Sequence, residues 1–194
     1  MRGLIVSEFV TLDGVMEAPG GEPTHPHSGW TMEYGVPELY AYKLDEVREA
    51  ESLLLGRVTY EGFSSAWPER DGEFADKMNG MPKHVATTTL SSLGWNATPL
   101  SGDIPAAVTK LKKGDGGPIL VAGSSTLVHT LLADGLVDEL RLMVFPVAIG
   151  GGLRVFPEDR GKVALKLTDL VRYDSGVLLQ VYQSVSSQDT EDQS

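Results

Sequence analysis

Short apolar segments alternate with amphipathic stretches along most of the chain, and polar turns separate them. Leu4 to Val10 is apolar with β-branched members and runs into a Leu-Asp-Gly turn, which predicts an opening strand. Apolar residues at helical spacing follow Pro37 and predict a helix that ends near Ala50. The chain therefore begins with a strand, a long connection and a helix.

Two strand–turn–helix units come next. In the first, a buried strand over 52–55 is followed by a Gly-Arg pair, and the aromatic residues after it predict a short helix before Pro68. In the second, a strand over 118–122 precedes the turn 123–126, and the apolar residues beyond that turn have helical spacing. Each unit places a glycine where a strand gives way to a helix.

The rest of the chain completes a sheet. Between the two units we predict a strand over 83–89, a turn-rich connection and a helix near 105–113. A strand over 140–147 follows, and segments over 163–173 and 177–184 flank an Asp-Ser-Gly turn, typical of a hairpin. This order predicts an α/β fold, a three-layer sandwich on a mixed, mainly parallel sheet with a C-terminal antiparallel hairpin.

A long loop and a polar tail remain. Residues 18–35 are rich in Pro, Gly and His and also contain Trp30 and Tyr34, which favours an ordered loop that covers part of the protein. Residues 186–194 are polar and acidic with nothing to bury, so we expect a disordered tail. The prediction is one domain over 1–185 followed by that tail.

Composition narrows the class of protein. The chain has 194 residues, of which 41% are hydrophobic and 22% charged, as in soluble globular domains. Since no apolar run is long enough for a membrane span or a signal peptide, we expect a cytoplasmic protein. The absence of cysteine excludes disulfides and thiolate chemistry, and the formal charge of -11 disfavours a nucleic-acid partner.

The turn at 123–126 is a candidate anion site. Gly123, Ser124, Ser125 and Thr126 precede a helix, whose first backbone N–H groups and positive dipole end suit a pyrophosphate. The same residues also fit an ordinary glycine turn in which Ser124 or Ser125 caps the helix. The motif alone leaves both interpretations open.

Arg57 is a second candidate, at the junction of a strand and a helix. A guanidinium beside Thr59 can hold a phosphate through two hydrogen bonds and so select NADPH over NADH. The alternative is a surface ion pair with Glu61, one helical turn later. The local positive charge in an acidic protein favours the phosphate.

Other positions have less specific patterns. The threonines at 87–89 offer hydroxyls where a strand ends, although they cannot all face one ligand. The glycines at 150–152 allow a ligand to approach the backbone, or form a bulge or a flexible turn. Asp13 is either a turn residue or a catalytic acid.

Histidines and aromatic residues each have an ordinary explanation as well as a functional one. His25 and His27 have a spacing that suits a metal, but no third ligand is near them in the sequence, so we expect no metal. Trp30, Tyr34 and Trp67 fit either the core or stacking on a flat heterocycle.

In chain order, five motifs resemble those of the dihydrofolate reductase superfamily. They are Thr-Leu-Asp-Gly from Thr11, Gly-Arg-Val-Thr-Tyr-Glu from Gly56, Lys-x-Val-x-Thr-Thr from Lys83, Val-x-Gly-Ser-Ser from Val121, and Phe-Pro-x-x-x-Gly-Gly-Gly from Phe145. The first and fourth are similar to the reductase domain of the bifunctional riboflavin deaminase-reductase. The resemblance covers roughly residues 2–184, and no deaminase zinc motif is present, which implies a stand-alone reductase domain.

The resemblance implies an NADPH site. It assigns the adenosine 2′-phosphate end of the cofactor to the first glycine turn and to two threonines, and the pyrophosphate to the second glycine turn and the helix behind it. The cofactor residues are Gly56, Arg57, Thr59, Thr88, Thr89, Gly123, Ser124, Ser125, Thr126 and Leu127.

The substrate side is less closely matched. Folate reductases carry an acidic residue on the first helix, where this chain has Tyr40, and Asp45 and Glu46 come later on that helix. This departure argues against dihydrofolate. We place the substrate beside Thr11, Asp13, Trp30 and Tyr40, with Asp13 as the candidate catalytic residue.

The function implied is hydride transfer from NADPH to a C=N or C=O carbon of a small heterocyclic or ribosylaminopyrimidine-type substrate. The model reaction is that of 5-amino-6-(5-phosphoribosylamino)uracil reductase in riboflavin biosynthesis. The alternatives are a non-catalytic nucleotide- or drug-binding protein on the same fold, and a dihydrofolate reductase. The resemblance also implies a homodimer.

Overall fold

The computed structural model describes residues 1–35, 37–158 and 161–185, and the tail expected over 186–194 lies outside them. The strands are β1 (Leu4–Thr11), β2 (Ser52–Gly56), β3 (Lys83–Ala86), β4 (Ala97–Leu100), β5 (Ile119–Val121), β6 (Glu139–Phe145), β7 (Leu165–Arg172) and β8 (Leu178–Ser184). The helices are α1 (Pro37–Glu49), α2 (Arg57–Ala66), α3 (Glu73–Gly80), α4 (Ile104–Lys112) and α5 (Ser125–Ala133), with 3₁₀ turns at Met32–Tyr34 and Trp67–Glu69.

All eight strands form one sheet in the order β4-β3-β2-β5-β1-β6-β8-β7. The first six in this order are parallel, whereas β8 runs antiparallel to both β6 and β7. The predicted fold is confirmed, including the C-terminal antiparallel hairpin. Because the six parallel strands end at the same edge, the turns that follow them lie together there.

Alternation along the strands gives the sheet two apolar faces. On β1, Leu4 and Val6 pack with residues of α4 and α5, whereas Ile5 packs with residues of α1, α2 and α3. Since neighbouring side chains of a strand point to opposite faces, this pattern produces three layers with the sheet in the middle. Among the described residues no helix is long and apolar enough to span a membrane.

Several elements differ from the sequence prediction. The strand expected over 83–89 ends at Ala86, and β6 ends at Phe145 rather than at residue 147. The turn-rich connection contains β4, an edge strand that pairs only with β3 and has no fully buried residue to mark it. The sequence also does not predict α3, in which only Ala75 and Met78 are buried.

The loop over 18–35 covers the carboxyl end of β6. Trp30 is buried there, and its ring meets the ring of Phe145 edge-on, with centroids 5.3 Å apart. Tyr34 and Phe9 contact the same ring at 5.9 and 5.6 Å. This aromatic cluster fixes the loop against the sheet.

Toward the carboxyl edge β1 and β5 are no longer paired, and we call this gap between the two strands the crevice. The two strands pair only over Leu4–Val6 of β1, whereas β1 and β6 pair as far as Thr11. Beyond Val6 the chain after β5 turns away into α5, so β1 has no strand on that side. Open parallel sheets bind ligands in such crevices, outside the carboxyl ends of the strands.

Candidate functional site

The two glycine turns predicted to bind one ligand touch each other. The backbone N–H of Gly56 donates to the carbonyl oxygen of Gly123 at 3.4 Å, because β2 and β5 are neighbours in the sheet. A Cβ on Gly56 would overlap the hydroxyl of Ser124, and one on Gly123 would lie 2.7 Å from Oγ1 of Thr59. Gly123 also has a φ of +76°, which disfavours other residues. A larger residue at either position would therefore displace a neighbouring side chain.

The helix behind the second turn supplies an anion-binding end. Ser124 occupies the N-cap position of α5 with an extended backbone, as one interpretation of the sequence predicts, but its side chain makes no cap hydrogen bond. Thr126 is exposed, whereas the side chains of Ser125 and Leu127 are buried. Ser125 and Leu127, both predicted to bind the cofactor, can therefore contribute only their backbone N–H groups to a ligand outside the helix.

Arg57 is the first residue of α2 and is exposed. Its NH1 nitrogen donates to both carboxylate oxygens of Glu61, at 3.0 and 2.8 Å. The ion pair considered from the sequence is thus present. It engages one edge nitrogen only, which leaves Nε and NH2 to face a second group.

The threonines after β3 divide into two kinds. Thr87 is buried, and its hydroxyl oxygen accepts hydrogen bonds from the backbone N–H groups of Thr89 and Leu90, at 3.2 and 3.1 Å. Thr88 and Thr89 are exposed at the same edge of the sheet. The exposed pair lies one strand away from Gly56, since β3 is the neighbour of β2.

Glu8 lies in the crevice and was not among the residues predicted from the sequence. Its side chain is buried, and Oε1 accepts the backbone N–H of Gly123 at 2.7 Å. Burial raises the pKa of Glu8 to about 8, although the hydrogen bond from Gly123 lowers it. A carboxylate within the buried, mostly apolar strand β1 is the sequence signal that points to it.

Asp13 and Thr11 form a clamp at the exit of β1. The hydroxyl of Thr11 donates to Asp13 at 2.6 Å, and the N–H groups of Gly150 and Ile149 donate to the same carboxylate at 2.9 and 3.3 Å. Burial raises the pKa of Asp13, but these hydrogen bonds outweigh it, and the net pKa is below the usual value. Asp13 is therefore held ionised, and it ties the glycine run at 150–152 to β1.

The long loop is tied to the same glycine run. Glu17 accepts the N–H of Leu153 at 3.0 Å, and the imidazole of His25 lies 3.3 Å from the carbonyl of Gly151. Arg154 donates to the carbonyl of Asp13. The two loops thus form one wall at the carboxyl edge of β1 and β6.

Trp30 and Tyr40, the other two predicted substrate residues, lie in different surroundings. The indole N–H of Trp30 donates to the carbonyl of Glu17 at 2.9 Å, which fixes the ring in the wall, where it meets Phe145 at an interplanar angle of 81°. Tyr40 is 60% exposed and packs on Phe74 of α3 with ring centroids 5.5 Å apart. Trp30 therefore supports the loop, whereas Tyr40 faces solvent beside α3.

The face of the sheet toward α1 contains a buried ion cluster. Lys43 donates to the hydroxyl of Ser7 at 2.9 Å and to the fully buried carboxylate of Glu46, which also meets Arg141 at 3.5 Å. Glu46, the later acid on the first helix, is thus neutralised from both sides. Its side chain has no exposed surface.

Two further observations limit the location and type of the site. A surface concavity of about 490 Å³ lies at the opposite, amino edge of the sheet, where its walls carry charges of both signs, so it is separate from the glycine turns. In the described part of the chain no three His, Cys, Asp or Glu side chains gather as metal ligands, and this includes the neighbourhood of His25 and His27.

The chain resembles several known proteins in sequence and in structure. The chain is similar to the uncharacterized protein YyaP of Bacillus subtilis (strain 168), at 28% identity over 190 residues, 93% of this chain and 94% of that protein. A Shewanella sp. PV-4 protein named for riboflavin biosynthesis has a similar structure, with a TM-score of 0.71, 19% identity, and coverage of 95% of this chain and 100% of the other.

A dihydrofolate reductase from Enterococcus faecalis, complexed with NADP(H) and RAB-propyl, also has a similar structure. Its TM-score is 0.63 at 16% identity, and the match covers 95% of this chain and 97% of that chain. The family model of the RibD C-terminal domain matches residues 2–179, which is nearly all of the described chain. The protein therefore belongs to the RibD C-terminal domain family.

Proposed function

We propose that the protein is an NADPH-dependent oxidoreductase that transfers hydride to a small heterocyclic or ribosylaminopyrimidine-type substrate. The reaction class is that of 5-amino-6-(5-phosphoribosylamino)uracil reductase. The observation that carries the proposal is the contact between Gly56 and Ser124, which joins two strand–glycine–helix turns into one cradle at the carboxyl edge. Membership in the RibD C-terminal domain family supports the same class.

The donor groups of this cradle fit a dinucleotide phosphate. The first N–H groups of α5 have no partner inside the helix and carry the positive end of its dipole, which suits a pyrophosphate. Arg57 has two guanidinium nitrogens outside its contact with Glu61, which suits a 2′-phosphate, and Thr88 and Thr89 are exposed after the neighbouring strand β3. NADPH supplies the hydride when bound, and the residues named here bind and orient it.

The substrate side of the proposal rests on the wall formed by the two loops. Thr11 and Asp13 fix this wall, and the ionised carboxylate of Asp13 is a positioning group rather than a proton donor. The substrate would lie beside this wall, with its reacting carbon toward the nicotinamide. The riboflavin-biosynthesis name of the Shewanella protein supports a ribosylaminopyrimidine-type compound.

Titration of NADPH and NADH into the purified protein, followed by nicotinamide fluorescence, tests the cofactor. Loss of two charge-assisted hydrogen bonds predicts that Arg57→Ala weakens NADPH binding about 10–100-fold and leaves NADH binding nearly unchanged. Arg172→Ala is the matched control, because Arg172 is an exposed arginine on the edge strand β7. The proposal is wrong if neither dinucleotide binds.

A non-catalytic nucleotide- or drug-binding protein is the second candidate. It is favoured by the state of two acids considered from the sequence, since Glu46 is paired with Lys43 and Arg141 and Asp13 is held by backbone N–H groups. Oxidation of bound NADPH, followed at 340 nm with riboflavin precursors and then dihydrofolate, separates the two. Binding without oxidation of NADPH by any of them supports the second candidate.

A further inference from the structure

Glu8 lies on β1 just beyond the last residue of that strand that pairs with β5. After Val6, β1 has no partner strand on the β5 side, and the Glu8 side chain spans this gap to the N–H of Gly123. The next residues after Gly123 are those whose N–H groups open α5. Glu8 is therefore an acidic group in direct hydrogen-bond contact with the anion-binding turn.

The charged groups around Glu8 do not strongly favour its ionised form. Lys43 and Glu46 on α1 act on the carboxyl in opposite directions across β1. The neighbouring strand β6 carries Glu139 and Arg141, which bind each other, and α5 carries one titratable residue, His129, whose imidazole lies 2.6 Å from the carbonyl of Arg154. Helix α4 packs on the same face and carries Lys110 and Lys112, of which Lys112 pairs with Asp138 at 2.7 Å. The direct contact of the Glu8 carboxylate is therefore the hydrogen bond from Gly123.

We propose that Glu8 couples dinucleotide binding to the uptake of one proton, because a pyrophosphate on the first N–H groups of α5 would lie next to the buried carboxylate that accepts the N–H of Gly123. Two negative charges at short distance with little water between them repel strongly, and protonation of the carboxyl removes that repulsion. Glu8 is a positioning residue in this scheme, since it holds Gly123 in either protonation state. The inference rests on the proposed dinucleotide site.

The expected pH dependence follows from burial. Because the pKa of Glu8 is raised to about 8, the carboxyl is mostly neutral at pH 7 and mostly ionised at pH 9. If only the neutral form accepts the pyrophosphate, the apparent Kd for NADPH rises about tenfold between these two pH values. The 2′-phosphate does not interfere, since phosphate monoesters have already lost their second proton above a pKa of about 6.

Calorimetric titration of NADPH into the full chain at pH 7, 8 and 9, in pairs of buffers with different ionisation enthalpies, measures both the Kd and the protons taken up. We expect uptake to approach one proton at pH 9 for the wild type. Glu8→Gln should bind at pH 9 as the wild type does at pH 7, with no uptake, whereas Glu69→Gln, at an exposed position, should match the wild type. Binding that is independent of pH in the wild type, or equal proton uptake in Glu8→Gln, would overturn the inference.

A second readout does not need the variant to fold. The amide resonance of Gly123 should shift with pH in the cofactor-free wild type and follow the titration of the Glu8 carboxyl near pH 8. A Gly123 amide that shows no such titration would overturn the inference. Absence of NADPH binding at every pH would overturn the proposed function and this inference with it, whereas binding without pH dependence overturns this inference alone.

Discussion

Both carboxylate oxygens of Glu61 bind one nitrogen of Arg57, at 3.0 and 2.8 Å, one helical turn apart on α2. The two side chains are 44% and 46% exposed, so the pair itself stabilises the fold little, by about 0.3–0.5 kcal/mol. Its effect on a ligand is different. A 2′-phosphate bound to the other edge of the guanidinium would meet the negative charge of Glu61 close by.

Glu61→Gln should therefore strengthen NADPH binding. Removal of the repulsion outweighs the small loss of orientation of Arg57, and we expect a gain of about two- to threefold at low salt, with NADH unaffected. Fluorescence titration at two ionic strengths checks it, because the gain should shrink as salt screens the charges. Weaker NADPH binding in Glu61→Gln would instead show that the carboxylate mainly orients the arginine.

The cradle makes a prediction about two glycines on neighbouring elements. Gly56→Ala should destabilise the fold by about 1–3 kcal/mol and reduce NADPH binding, because its Cβ would force Ser124 and the α5 turn away. Gly62→Ala, six residues later in α2, is the matched control. Its Cβ meets nothing within 4 Å, and alanine in a helix should raise stability by about 0.5–1 kcal/mol. Urea unfolding of both variants measures the difference, and equal effects would contradict the packing argument.

The contrast between these glycines also shows how far the sequence can predict the site. The local sequence pattern is enough to place Gly56 and Gly123 at strand–helix junctions, because the residues that define each junction are consecutive in the chain. Their contact depends on β2 and β5 being neighbours, and no local periodicity specifies which strands pair. The roles of Glu8 and Lys43 could not be predicted for the same reason, because each contacts a partner more than 30 residues away in the chain. The edge strand β4 escapes prediction because it has no buried face.

The burial of Lys83 allows a prediction of how the free energy of unfolding changes at high pH. The side chain is fully buried, with its ammonium 2.8 Å from the carbonyl oxygen of Asn79 and 4.1 Å from the ring centroid of Trp95. Burial lowers its pKa from 10.5 to about 8. Between these two values the unfolded chain binds more protons than the folded one, so this residue makes the free energy of unfolding rise with pH across that window.

Lys83→Met should remove this dependence. Relative to the variant, the wild type should gain up to about 1.4 kcal/mol of stability per pH unit between pH 8 and 10.5. The measurement is urea unfolding at half-unit steps of pH, and the difference between the two proteins cancels the titration of other groups. Lys166→Met, at an exposed position on β7, should follow the wild type. A constant difference between wild type and Lys83→Met would show that Lys83 titrates alike in both states.

The edge of the sheet formed by β7 suggests how two copies of the chain could associate. β7 is the outermost strand next to β8, and Leu167 and Leu170 are 47% and 54% exposed. They lie opposite Tyr182 and Gln180 of β8, on the face toward α5. Exposed apolar side chains on an unpaired edge strand promote association unless another surface covers them.

We therefore expect a homodimer in which a second copy covers this face, and Leu170→Lys should shift it to monomers. Sedimentation velocity over a range of concentrations checks this. The control is Leu12→Lys, because Leu12 is 71% exposed but lies in the turn after β1, and β6 and β8 separate β1 from β7. If the wild type is monomeric at all concentrations, the leucines are simply exposed. If Leu170→Lys stays dimeric, the contact between the two copies lies elsewhere. Because the glycine cradle is several strands away from β7, we also expect the monomer and the dimer to bind NADPH equally well.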